Sequence, residues 1–342
     1  MDTRKIQSVG GGTYTVSLPK EWCKAQDVAP GEEINVHKHL DGILAIQTRE
    51  TESNSPIQST IQIAHDETER LEQSLRAAYA AGIKELVLVA NTEFSPTQKR
   101  FVDNIAKELI GVSVDKISKS EITVQVLLNR DEVSVSQSVR QLKFIALSMH
   151  ETAVKSLTAE SAAEHLATRD DQADRLYSMI NRSFTRSLTR LDEVDALGYT
   201  RPELFERWAT TRELERVADQ AEGIAKAGPA IDDTVSPSIH DEIQSFGREA
   251  RSLVADGVSV IVGDAGTETA HETLLGRDEL CKEIETYADS IGSTTESSQL
   301  LPVLHRIRRT AEHGGNIAEL GLRHAVRQGN ITAPQTVEEN LS

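Results

Sequence analysis

The sequence predicts a multidomain α+β protein: an N-terminal β unit over residues 1–50, a small α/β adaptor over 57–129, and a C-terminal six-helix bundle. Three observations carry this. Short alternating apolar runs broken by glycine turns fill the first fifty residues, and strand and helix patterns alternate after them. From Asp131 onward the apolar period is helical and is interrupted once near residue 230. Two three-helix repeats, over 131–228 and 235–328, account for that interruption. A length of 342 residues also exceeds what one small core supports.

Residues 4–9 (RKIQSV) and 13–18 (TYTVSL) read as strands joined by Gly10-Gly11-Gly12. A phosphate-cradling loop is excluded there, because no Gly-Lys-Ser/Thr follows and the triplet opens a strand rather than a helix. Pro19 starts one helical turn, PKEWCKA, and "APGEE" is a turn. INVHKH and GILAIQ are strands separated by the hairpin signal Asp41-Gly42. A unit this small, with so few apolar residues, is expected to dimerise.

Residues 50–56 (ETESNSP) form a polar linker. The adaptor then reads as an extended IQSTIQIA, a helix from Asp66 to Ala81, and a strand ELVLVA. A helix follows, capped at Ser95 with Pro96 and capping-box spacing and running to Ile110, and then two strands, VSVDKIS and EITVQVLL. In the bundle, Val135, Val139, Leu142, Ile145, Met149, Ala153 and Leu157 make one apolar stripe. A second comprises Leu166, Ala173, Tyr177, Ile180, Phe184 and Leu188. The third contains Leu204, Trp208, Thr211, Ala218 and Ala225 and follows a capping box of Thr200 and Glu203. Helices over 237–262, 267–290 and 299–328 complete the count, and 329–342 is a polar, flexible tail.

No apolar run approaches 18 residues and no signal peptide is visible, so a cytoplasmic protein without membrane insertion is expected. Cys23 and Cys281 lie in unrelated contexts and read as free thiols. The net charge of −17 is uneven: residues 1–50 carry seven acidic and six basic side chains, leaving −16 for the other 292 residues. An acidic body of this kind suits a salt-rich cytoplasm, as in haloarchaea, while the nearly neutral front calls for a separate explanation.

Asp170 and Asp174 share one helix face, as do Glu215 and Asp219 within "LERVADQAEGIAKA". If the two helices pack antiparallel, four carboxylates meet at a half-buried seam. They raise one another's pKa unless a cation sits among them, and all-oxygen ligands favour a hard or iron-type ion. The alternative is a solvated charged face partnered by Arg175, Arg212 and Arg216. No nucleophile, base and oxyanion set is visible. His37, His39, His150, His165 and His271 lack metal spacing, so no enzyme is expected.

The block "RKIQSVGGGTYTVSLPKEWCKAQDVAPGEEINVHKHLDGILAI" resembles the AbrB/SpoVT swapped-hairpin DNA-binding domain: a basic strand, a glycine turn, an LPKEW turn, "GEEINV" and a final strand. That resemblance implies interlaced hairpins from two chains, with Arg4, Lys5, Lys20 and Lys24 set against the phosphate backbone. "LERVADQAEGIAKA" and "RDDQADRL" resemble the helix motifs of PhoU, the phosphate-uptake regulator family, which has two three-helix repeats.

The PhoU resemblance implies metal ligands at Asp170, Asp174, Glu215 and Asp219, with Gln220 where that family has histidine. The second repeat is eroded: Asp278, Glu279, Glu283 and Glu312 remain, but Arg308 occupies an acid's seat. Together the two resemblances imply a homodimeric, DNA-binding transcriptional regulator of phosphate uptake, with a divalent or iron-type metal ion as cofactor. The alternative is an accessory protein that inhibits a phosphate transporter component or its signalling kinase, with the front unit serving only to dimerise.

Overall fold

A computed structural model describes residues 3–48, 58–63, 68–129, 132–157, 160–228, 231, 236–291 and 295–329, with backbone alone at 160–165, 191 and 295–298. The expected linker at 50–56 lies outside these residues, as does the tail apart from Gly329. Contacts divide the chain into two compact units, Met1–Pro56 and Ile57–Ser342.

The first unit contains β1 (Gln7–Val9), β2 (Thr13–Thr15), α1 (Lys20–Ala25), β3 (Asn35–Lys38) and β4 (Leu44–Gln47). Two antiparallel hairpins form, β1 with β2 and β3 with β4, and each is a separate two-stranded sheet. The strands are shorter than the alternation predicts. Gly10 and Gly42 both take positive φ, at 66° and 78°, the conformation these turns require. Among the described residues of this unit only His39 is buried. Tyr14 is 77% exposed and Ile6 71%, and Val9, Val36, Leu40, Ile43 and Leu44 are exposed as well.

The second unit begins with β5 (Gln58–Ile63), α2 (Thr68–Ala80), β6 (Glu85–Ala90), α3 (Pro96–Glu108), β7 (Val112–Ile117) and β8 (Glu121–Val126). The sheet order is β5-β6-β8-β7, with β5 parallel to β6 and the other pairs antiparallel. Ser95 caps α3 as the spacing predicts: its hydroxyl accepts from the Gln98 N–H at 3.1 Å, and Gln98 Oε1 accepts from the Ser95 N–H at 2.9 Å. Leu71, Leu75, Leu86, Leu88, Val102 and Ile122 anchor a core between the helices and the sheet.

Seven helices follow: α4 (Val135–Lys155), α5 (Glu160–Thr189), α6 (Leu191–Leu197), α7 (Arg201–Ala227), α8 (Pro237–Ile261), α9 (Thr267–Ser290) and α10 (Thr295–Arg327). Six are long, and the short α6, ended by Gly198 at φ 73°, was not foreseen from the sequence. The predicted α4 stripe, Val135 to Leu157, is buried throughout. On α5 Leu166, Ala173 and Ile180 are buried and Tyr177 and Phe184 half-buried, but Leu188 is 68% exposed, because the side facing the core at the last turn is taken by Ser183 and Ser187. The Thr200–Glu203 capping box opens α7.

α10 packs on α8, α7 and α9, and α4 packs on α7, α5 and α8. At the α8–α10 crossing the backbones nearly touch. A Cβ on Gly257 would come within 2.8 Å of the Gly314 carbonyl oxygen, and one on Gly314 within 2.8 Å of the Val254 nitrogen. Only glycine allows that approach.

Candidate functional site

The α5–α7 hairpin builds the site. Phe184 of α5 stacks on Trp208 of α7 with ring centres 4.6 Å apart, and the Trp208 indole N–H donates to Asn181 Oδ1 at 2.9 Å. These contacts join the end of α5 to the start of α7, while Asp170, earlier on α5, interacts with Asp219 and Glu222, later on α7. The two helices are therefore antiparallel, and Asp170 and Asp174 are carried toward Asp219 and Glu215. All four carboxylates are partly buried.

Burial, followed by the charges of Asp174, Glu222 and Asp219, pushes Asp170 up to about 7. Burial and then Asp219 push Glu215 up to about 7 against the opposing charge of Arg216. Asp174 is raised by burial and Asp219, with Arg76 opposing. Asp219 is raised by burial, with Arg216 opposing and Glu222 adding. Only Arg216 among the three proposed arginine partners pairs here, at 3.5 Å from Glu215 and 3.7 Å from Asp219. Arg175 instead donates to the Lys107 carbonyl at 2.6 Å, capping the end of α3. Arg212 acts electrostatically on Tyr177 and Glu213.

The sequence reading missed two members of this group. Glu222 lies seven residues beyond Glu215 on the same helical face, so the heptad spacing was there to be read. Arg76 comes from α2, where no local pattern announces it; it pairs with Glu72 at 2.8 Å and with Glu108 at 2.6 Å. By chemistry the donor set fits a hard cation, because it consists of oxygens short of positive charge. By geometry it is open: among the described residues no three His, Cys, Asp or Glu side chains are placed to hold a metal ion.

Of the four acids expected as weaker metal ligands, Asp278 and Glu312 are paired with arginines. Arg308 Nε lies 3.3 Å from Glu312, Arg309 also pairs with Glu312, and Arg277 Nε lies 2.9 Å from Asp278. Glu279 and Glu283 are exposed. Cys281 is a free thiol, raised by burial and by Glu312, and Cys23 is also free.

The α7–α10 interface carries buried carboxylate contacts that spacing did not reveal. Glu206, 1% exposed, receives His324 Nδ1 at 2.9 Å and also Arg327. Glu213 receives His313 Nδ1 at 2.7 Å and Asn316 at 2.9 Å. Burial pushes Glu213 up, but these hydrogen bonds outweigh it and hold the carboxyl below its ordinary value. In the first unit Arg4, Lys5, Lys20 and Lys24 are all exposed. No described helix is long and apolar enough to cross a membrane.

Residues 139–228 match the family model of the PhoU domain. Among solved structures, PhoU from Pseudomonas aeruginosa is similar at 17% identity and a TM-score of 0.47, covering 57% of this chain and 96% of that one. The phosphate transport system regulatory protein PhoU from Streptococcus pneumoniae is similar at 19% identity and a TM-score of 0.42, covering 58% and 96%. Comparison with curated proteins finds no match. The stretch from α4 through α7, which contains the carboxylate seam, is thus PhoU-like over residues 139–228.

Proposed function

We infer that this chain is a non-enzymatic, DNA-binding transcriptional regulator of phosphate uptake, with PhoU-like helices that hold a hard cation at the α5–α7 seam. The PhoU match at 139–228 carries the phosphate part of this reading. The metal part is supported by half-buried carboxylates that repel one another and that, among the described residues, pair directly with Arg216 alone.

The DNA part is supported by the first unit. Its apolar side chains are exposed in a single chain, with Ile6 71% and Tyr14 77% exposed. Burying them against a second copy recovers about 25 cal/mol per Å² of apolar surface. The same pairing sets Arg4, Lys5, Lys20 and Lys24 of two chains on one dimer, where basic side chains suit phosphate contacts.

Light scattering of the full chain is expected to give twice 37.5 kDa. Retention of duplex DNA across a salt series tests the rest. Affinity should fall by about 0.9 log units per tenfold rise in salt for each phosphate neutralised, and Arg4→Ala with Lys5→Ala should lower the affinity and flatten the slope. A dimer indifferent to both changes would favour an accessory protein acting on a phosphate transporter component.

A further inference from the structure

The two edges of the four-stranded sheet are built differently. β7 is guarded: a bulge falls between Val114 and Lys116, Asp115 and Lys116 sit at it, and Lys119 follows. Bulges and edge lysines are how proteins keep a sheet from pairing with another chain. β5 has none of these devices. Its six residues, QSTIQI, carry no charge, proline or glycine, and their register with β6 runs unbroken from Gln58↔Glu85 to Ile63↔Ala90. Among the described residues no strand pairs with the outer edge of β5.

We propose that the outer edge of β5 pairs antiparallel with β5 of a second copy of this chain, joining two four-stranded sheets into one of eight. Two observations point to a second copy. An uncharged strand opposes no like charges in any register when paired with itself across a two-fold axis, whereas a self-pair of β7 centred on Asp115 or on Lys116 would set that charge against its own copy.

The second observation is that β5 directly follows residues 49–57, which tie it to the first unit. At about 3.4 Å per extended residue the chain from Gln47 to Gln58 keeps β5 within about 37 Å of the end of β4. Two first units held together, a reading on which this inference rests, would bring two β5 edges together at about millimolar effective concentration. Pairing residues of equal parity keeps Gln58, Thr60 and Gln62 of both chains on one face, so the helices of both stay on the other.

The test uses the full chain with Cys23→Ser and Cys281→Ser. Cysteine is placed at Thr60, at Gln62, or at both, because antiparallel partners lie within disulfide reach. Mild oxidation should link two chains in at least one of the three variants. The β5 amides should also exchange at least about ten-fold more slowly than those of β7. In the parent chain, Thr60→Lys with Gln62→Lys should abolish that protection. A dimer by light scattering with no crosslink and fast β5 exchange would overturn this inference and leave first-unit dimerisation standing. A monomer would overturn both. Slow β5 exchange without any link between chains would mean that the chain covers its own edge, and would overturn the inference as well.

Discussion

Arg182 donates from Nη1 to the Tyr79 carbonyl at 2.7 Å, and its guanidinium lies 5.0 Å from the centre of the Tyr79 ring. One buried side chain of α5 thus satisfies a carbonyl at the end of α2 and packs on an aromatic face. Burial, then Arg186, lower its pKa to about 10, so it stays charged at neutral pH. Arg182→Ala is expected to cost about 2–4 kcal/mol, combining a lost charged hydrogen bond and a lost cation–π contact. Arg182→Lys should fall between. Denaturant midpoints of the three proteins measure this, and an Ala variant as stable as the parent would refute it.

The carboxylate seam predicts opposite effects with and without a cation. Asp170→Asn with Glu215→Gln removes repulsion, so the melting midpoint in chelator should rise by a few degrees at pH 8. The sign follows from the shifts. Both carboxyls are raised to about 7, so the metal-free protein is favoured at low pH and loses that advantage as pH climbs through 7. Added Mn²⁺ should stabilise the parent, by about 2.7 kcal/mol at 100 times its Kd, but not the variant. Asp278→Asn with Glu312→Gln should leave the Mn²⁺ response intact, since Arg277 and Arg308 already neutralise that site. Melting curves with and without Mn²⁺ distinguish these outcomes.

His150 should control part of the acid limb of stability. It is fully buried on α4, and Arg251 Nη1 of α8 donates to its Nδ1 at 3.3 Å, which places the ring proton on Nε2. Burial first, then Arg251, lower its pKa to about 3. A depressed histidine stabilises the fold above its ordinary pKa of 6.5, and this contribution is lost as pH falls toward 3. The slope from this one proton reaches about 1.4 kcal/mol per pH unit. His150→Gln, which can still accept from Arg251, should flatten the stability profile between pH 6.5 and 3. Unfolding measured at half-unit steps of pH would show it.

At the α8–α10 crossing, Gly314→Ala should destabilise by about 1–3 kcal/mol, because the new methyl meets the Val254 nitrogen and the Leu253 backbone. A thermal midpoint equal to the parent's would show that the crossing yields.

Element type was legible wherever the deciding residues lie within a turn or two of each other. The Ser95 and Thr200 capping boxes each join a hydroxyl and a side chain three positions apart, so no distant residue is consulted. The α4 stripe is a period of the chain itself. The paired acids on α5 and α7 were visible for the same reason. The short α6 was not, because seven residues hold too little of a period to read. Leu188 continued the apolar spacing but is exposed, since two successive four-residue steps from Ile180 drift off the 3.6-residue period and leave Ser183 and Ser187 facing the core.

Partner choice was beyond the sequence. Arg175, Arg212 and Arg216 are equivalent by spacing, yet Arg216 sits beside Glu215 and Asp219, Arg175 caps α3, and Arg76 arrives from α2. By itself the sequence determined the long helices, the caps at Ser95 and Thr200, and the presence of two acidic pairs four residues apart on separate helices. The tertiary structure alone decided which cations meet those acids and how far burial raises them. A side-chain ion pair needs its atoms within about 4 Å, and between helices that separation is set by packing contacts that can be more than a hundred residues apart in the chain, as Glu206 and Arg327 are.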